Sequence, residues 1–138
     1  MAEKLIITEL DVDELKTLQS KLGNGLLIIK FGADWCGPCK KIAPTFQSFI
    51  KTAPANIIFA DINVDDNVNL FIALKKHKMI QGIPVFLAFY GNSEREHWFI
   101  PDDSCVGADE KQVADFFTRC QNKALEQAIM PSGYTYFS

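Results

Sequence analysis

The sequence predicts an α/β domain, a central mixed β-sheet flanked by helices on both faces. Three observations carry that reading. Strand-length apolar runs alternate with segments of helical periodicity from residue 5 to residue 90. A strand pair and one long amphipathic segment then follow, the pattern of a sheet that ends in a hairpin and a helix. Finally, 138 residues that are 48% hydrophobic, with eleven Phe, suffice for one core and leave little over.

The elements follow in chain order. "LIITEL" reads as a short first strand. "DVDELKTLQSKLGNG" reads as a helix, with Leu15, Leu18 and Leu22 at helical spacing and Gly23 and Gly25 ending it. "LLIIKFGA", residues 26–33, is an almost unbroken apolar run, as a central strand covered on both faces requires; Lys30 is its exception. From Cys36 to Lys51 the pattern is helical, with Ile42, Phe46, Phe49 and Ile50 on one side and Pro44 set to kink it. "NIIFADINVD", residues 56–65, is a strand, and "DNVNLFIALKKHK" an amphipathic helix. "IPVFLAFYG" is a strand from Pro84, and "REHWFI" is its expected antiparallel partner. "ADEKQVADFFTRCQNKALEQAIM" is the last helix, with Val113, Phe116 and Phe117 facing in. The expected domain is residues 1–130, with 131–138 a short tail whose Tyr134, Tyr136 and Phe137 carry no recognisable motif.

Composition narrows the function. The net charge is −3 and acids and lysines are mixed, so there is no basic footprint for nucleic acid. The apolar runs are strand-sized, which gives no membrane span. The N-terminal "MAEKLIITELDVDELK" is too acidic, and its apolar run too short, for a signal peptide. The expectation is a monomer in the cytoplasm, a reducing compartment where a close cysteine pair is catalytic or metal-binding more often than structural.

"ADWCGPCKK", residues 33–41, holds that pair. A zinc half-site would need a second pair of ligands at matching spacing, and neither Cys105 with Cys120 nor His77 with His97 supplies one. No metal and no bound cofactor are expected. The pair follows a buried strand and opens a helix. Cys36 therefore stands at a helix N-terminus, where unpaired N–H groups and the macrodipole favour a thiolate. Cys39 lies one turn on. Cys36 can attack a substrate disulfide, and Cys39 can then attack Cys36, release the reduced product and leave a Cys36–Cys39 disulfide.

With these residues in hand the chain resembles the thioredoxin family over residues 4–120. "WCGPCK" is that family's full active-site signature, far more specific than a bare C-x-x-C. Pro44 matches its helix proline, "GIPV" (82–85) its cis-proline segment, and "VGAD" (106–109) its glycine loop. The resemblance implies a thioredoxin fold and reduction of protein disulfides, with disulfide-containing proteins as partners. It also implies recharging by a thioredoxin reductase that draws on NADPH. By the same resemblance Trp35, Gly37, Pro38, Ile83, Pro84 and Gly107 form a flat apolar substrate rim. Pro84, with a cis bond before it, leaves the Ile83 backbone free to pair with an extended substrate segment. From the residues alone, Ile83 fits a core position equally well. The other function open to this surface is a redox-sensitive interaction module; the intact cysteine pair favours chemistry, since a scaffold needs neither thiol.

Two departures stand out. Family members usually carry a buried aspartate six residues before the first cysteine, and here that position is Lys30. Bacterial members often carry a lysine on the next strand, and here that position is Asp61. Lys30 and Asp61 are expected as an exchanged, facing pair that aids proton transfer at Cys39, because a lone buried lysine would be costly; the alternative is that Lys30 snorkels to solvent. The second departure is the long stretch between Pro84 and Gly107, either a tolerated surface insertion or a new contact near the rim. Cys120 is expected as a packing residue, and Cys105 as an exposed spectator thiol.

Overall fold

The computed structural model describes residues 4–129, so the expected tail 131–138 lies outside the described residues. Nine elements follow the expected order: β1 (Ile6–Ile7), α1 (Val12–Ser20), β2 (Leu26–Gly32), α2 (Gly37–Thr52), β3 (Ile57–Asn63), α3 (Val68–Lys76), β4 (Val85–Tyr90), β5 (Asp103–Val106) and α4 (Glu110–Ile129). They build one five-stranded sheet in the order β1-β3-β2-β4-β5. β1, β3 and β2 run parallel, while β4 is antiparallel to β2 and β5 to β4.

Every residue of β2 is buried, as its unbroken apolar run requires. Alternate side chains feed two cores. Leu27, Ile29 and Phe31 point to the side covered by α1 and α3. Leu26 and Ile28 point to the side of α2 and α4, where Phe46, Phe59, Phe86, Phe116 and Phe117 meet. α1 starts on a capping box: the Asp11 carboxylate accepts from the Glu14 N–H at 2.7 Å, and the Glu14 carboxylate from the Asp11 N–H at 3.1 Å.

The expected strand at Arg95–Ile100 does not form; the fifth strand is Asp103–Val106. The cause is a polar clasp. Arg95 turns inward, donates to the Tyr90 and Ile100 carbonyls and to Asp102, and lies over the Phe89 ring at 5.0 Å. Asp102 in turn accepts from the Tyr90 N–H at 2.7 Å and the Ser93 hydroxyl at 2.5 Å. The segment is therefore a folded loop. Its Phe99 stacks on His77 at 3.7 Å, and its Trp98 lies under Lys16 at 5.7 Å. The register pairs Val85 with Phe31 beside the cysteine turn, and Tyr90 with Leu26 at the opposite end of the strand. The loop after Tyr90 thus leaves the sheet at the pole away from the cysteines. Asp102→Ala is expected to cost about 2–4 kcal/mol in urea unfolding, because it strands a mostly buried guanidinium and a backbone N–H. The folded fraction, once reduced, should keep the wild-type alkylation rate of Cys36 and Cys39; a changed rate would contradict the separation of the two poles.

Both remaining cysteines are free and buried, including Cys105, which was expected to be exposed. Its place on β5 opposite Phe86 explains this. Burial pushes its thiol up, with Asp103 and Asp109 adding and Arg119 opposing. Burial also pushes Cys120 up to about 12, aided by Asp103 and opposed by Arg119. Tyr90 is pushed to about 12 by burial, then by Asp103, Cys120 and Asp102, against Arg119. Cys120 and Tyr90 are neutral when protonated. An unfolded chain would release these protons from about pH 9 upward, whereas the fold holds them, so stability is expected to fall as pH rises above about 9. Unfolding midpoints between about pH 8 and about pH 10.5 should show the decline, and Cys120→Ala should flatten it.

Candidate active site

α2 begins where β2 ends, and the turn between them carries both cysteines. Cys36 is the N-cap of α2, with extended backbone, and its Sγ accepts from the Cys39 N–H at 3.2 Å. That bond satisfies one of the free donors at the helix start and is the contact a thiolate would strengthen. Gly37 and Pro38 form the exposed first turn. Cys36 and Cys39 are joined as a disulfide with Cα atoms 5.3 Å apart. Cys36 is 6% exposed and Cys39 4%, so the difference in access expected between them is small in this oxidised state. Gly32, at the end of β2, is needed for close approach: a Cβ there would stand 3.2 Å from Cys39 Sγ and 3.8 Å from Lys30 Cε.

The rim residues gather around this turn. The Ile83–Pro84 peptide is cis, and the Ile83 carbonyl oxygen lies 3.9 Å from Cys36 Sγ. Ile83 is half-buried, with one side packed on the core and the other facing out beside the cysteine turn. Gly107 donates its N–H to the Pro84 carbonyl at 2.8 Å and has φ +95°, a conformation that favours glycine. Trp35 is 70% exposed. Sequence reasoning missed what holds it: the indole N–H donates to Asp65 at 2.8 Å. No local pattern marks Asp65, which is one of two adjacent acids in a loop. It also missed the exposed apolar side chains Val68 and Ile72 on α3 and Val106 beside Gly107. Between Trp35, Val68, Phe71 and Ile83 runs a shallow groove of about 400 Å³.

Lys30 and Asp61 are direct register partners on β2 and β3, as expected. Lys30 does not snorkel; it is 5% exposed. Yet the two do not form an ion pair within 4 Å among the described residues. Instead the Lys30 ammonium donates to the Cys39 carbonyl at 3.5 Å and lies 5.8 Å from the Phe46 ring centre. Lys30, Cys39 and Asp61 line one cleft of about 620 Å³, so water reaches the inner side of the cysteine pair. The physical reason is direction: a flexible lysine on a strand can turn along the strand toward α2 as readily as across to its neighbour.

The thioredoxin family model matches residues 9–119, more than half of the chain. The thioredoxin of Ophiophagus hannah is 36% identical over 89 residues, which span 64% of this chain and 79% of that protein. Thioredoxin domain-containing protein 8 of Rattus norvegicus is 41% identical over 76 residues, 55% of this chain and 56% of the relative, so the match spans only about half of that protein. Among solved structures, the thioredoxin of Fasciola hepatica superposes with a TM-score of 0.63 at 27% identity, covering 82% of this chain and 98% of that one. The reduced thioredoxin pre-protein of Schistosoma mansoni gives 0.61 at 30% identity, over 83% and 98% of the two chains.

Proposed function

Because the chain belongs to the thioredoxin family and carries that family's redox-active disulfide at Cys36–Cys39, we propose that it reduces disulfide bonds in proteins by thiol exchange. One observation carries the reading: a cysteine pair at the start of α2, with Cys36 Sγ receiving an N–H from its own helix and facing the Ile83 carbonyl. In the reduced form Cys36 is the nucleophile and Cys39 the resolving thiol. An extended substrate segment lies across Trp35, Gly37, Pro38, Ile83, Pro84 and Gly107, the Ile83 backbone pairing with it as an added strand would. Each turnover leaves the Cys36–Cys39 disulfide, which a thioredoxin reductase reduces back to the two thiols with electrons from NADPH. The two buried free thiols fit work in a reducing compartment such as the cytoplasm.

The test is insulin reduction coupled to NADPH oxidation through a heterologous thioredoxin reductase. The expected result is NADPH consumption proportional to the concentration of this protein, with insulin precipitating as its chains separate. No consumption above the reductase alone would overturn the reading.

A further inference from the structure

Resting on the exchange reaction just proposed, we propose that the buried Lys30 ammonium is the positioning charge of the release step: it holds Cys39 ready as a thiolate, so the step needs no carboxylate base beneath the active site. Lys30 is 5% exposed and has no acidic partner within 4 Å among the described residues. A carbonyl and a ring face hold it, and neither cancels its charge. Its field therefore reaches the ionisable groups that share this space. Cys39 is one of them: the space beside Gly32 is bounded by Lys30 Cε and Cys39 Sγ, and the ammonium donates to the Cys39 carbonyl.

The other charged groups lining the cleft are Asp61 on β3, Asp34 and Lys40 flanking the cysteine turn, and Glu9 and Asp66. All of them are exposed except Asp61, which is half-buried. Solvent screens the exposed charges, while a cation in the low-dielectric interior is screened least. Lys30 is thus the strongest positive influence on Cys39, and Asp61 the strongest negative one. An ammonium cannot accept a proton, so its part is electrostatic.

Release starts from a mixed disulfide. Cys36 Sγ is bonded to a substrate sulfur. The Cys39 thiol has already lost its proton to water in the cleft. Cys39 Sγ attacks Cys36 Sγ, the bond from Cys36 to the substrate breaks, and the electron pair leaves with the substrate sulfur, which takes a proton from solvent. The substrate disulfide has gained two electrons and the cysteine pair has lost them.

The experiment uses the reduced full-length chain and the chromogenic disulfide 5,5′-dithiobis(2-nitrobenzoate), followed by stopped flow from about pH 5 to about pH 9. Attack by Cys36 releases the first coloured thiolate, and attack by Cys39 releases the second. The pH midpoint of the second phase is the readout. Lys30→Met should move it up by about one unit, which slows release about tenfold below the midpoint. The rate should converge on the wild-type plateau at alkaline pH. Asp61→Asn, which removes the opposing charge, should move the midpoint down. An unmoved midpoint in Lys30→Met, or a plateau lowered at every pH, would overturn the proposal. So would an Asp61→Asn variant slower at every pH, since that is the mark of a carboxylate base. A wild-type chain that releases one equivalent and never the second would instead overturn the exchange reading itself.

Discussion

Cys36→Ser is expected to abolish disulfide reduction, while Cys39→Ser is expected to stall after one step with substrate still attached. The two thiols sit one helical turn apart and differ in what surrounds them. Cys36 Sγ stands at the N-terminus of α2, 3.2 Å from the Cys39 N–H, and faces the rim at the Ile83 carbonyl. A serine hydroxyl there would keep the hydrogen bond but lack a nucleophile that forms a disulfide, so the first exchange never starts. Cys39 lines the cleft behind the turn together with Lys30 and Asp61. Replacing it spares the attack and removes the release. The mixed disulfide should survive non-reducing electrophoresis and disappear on addition of dithiothreitol. Turnover lost by at least about a thousandfold in both variants, with a trapped adduct only in Cys39→Ser, is the expected pattern, since the oxygen nucleophile loses thiolate chemistry altogether. Equal, substantial activity in both would refute a two-thiol mechanism.

Phe46→Ala is expected to cost about 3–5 kcal/mol of stability, a large share of what a domain this size possesses. Phe46 is 1% exposed and lies on α2, the helix that presents the cysteines. Its ring stands 5.8 Å from Phe59, 5.4 Å from Phe86 and 5.8 Å from Phe117, so it joins two strands and the last helix to α2. Truncation empties the centre of that cluster, removes several aromatic contacts at once and takes away the ring face against which Lys30 lies. Urea unfolding followed by tryptophan fluorescence measures the loss. A change below about 1 kcal/mol would mean the cluster collapses to fill the space.

The elements legible in the sequence are those whose period is set by burial. β2 reads as a central strand because both of its faces are covered, and α4 reads as a helix because Val113, Phe116 and Phe117 face one core. The fifth strand was not legible. Arg95–Ile100 alternates well enough to imitate a strand, and only the Arg95–Asp102 clasp, formed with the Tyr90 carbonyl and N–H, turns it into a loop. The true strand, Asp103–Val106, has four residues and is defined by pairing with β4 rather than by its own pattern. At the site, the C-x-x-C spacing and the prolines revealed the cysteine turn. The Lys30–Asp61 register was also legible, through the two positions that the resemblance to the thioredoxins sets opposite each other. The direction in which Lys30 points was not, since side-chain torsions answer to neighbours distant in sequence. The same holds for the Trp35–Asp65 bond and for the burial of Cys105.

The strand order β1-β3-β2-β4-β5 has a consequence for synthesis on the ribosome. β2 is the middle of the sheet, yet its antiparallel neighbour begins only at Val85. While the chain emerges, β2 can pair with β3 on one side, but its other edge carries bare N–H and C=O groups until β4 appears. β4 then waits in turn for Asp103–Val106. The growing chain thus passes through a stage with the reactive pair already translated and an apolar strand edge open. At that stage β2, the strand buried at every residue of the finished fold, is the one most exposed to the wrong neighbour.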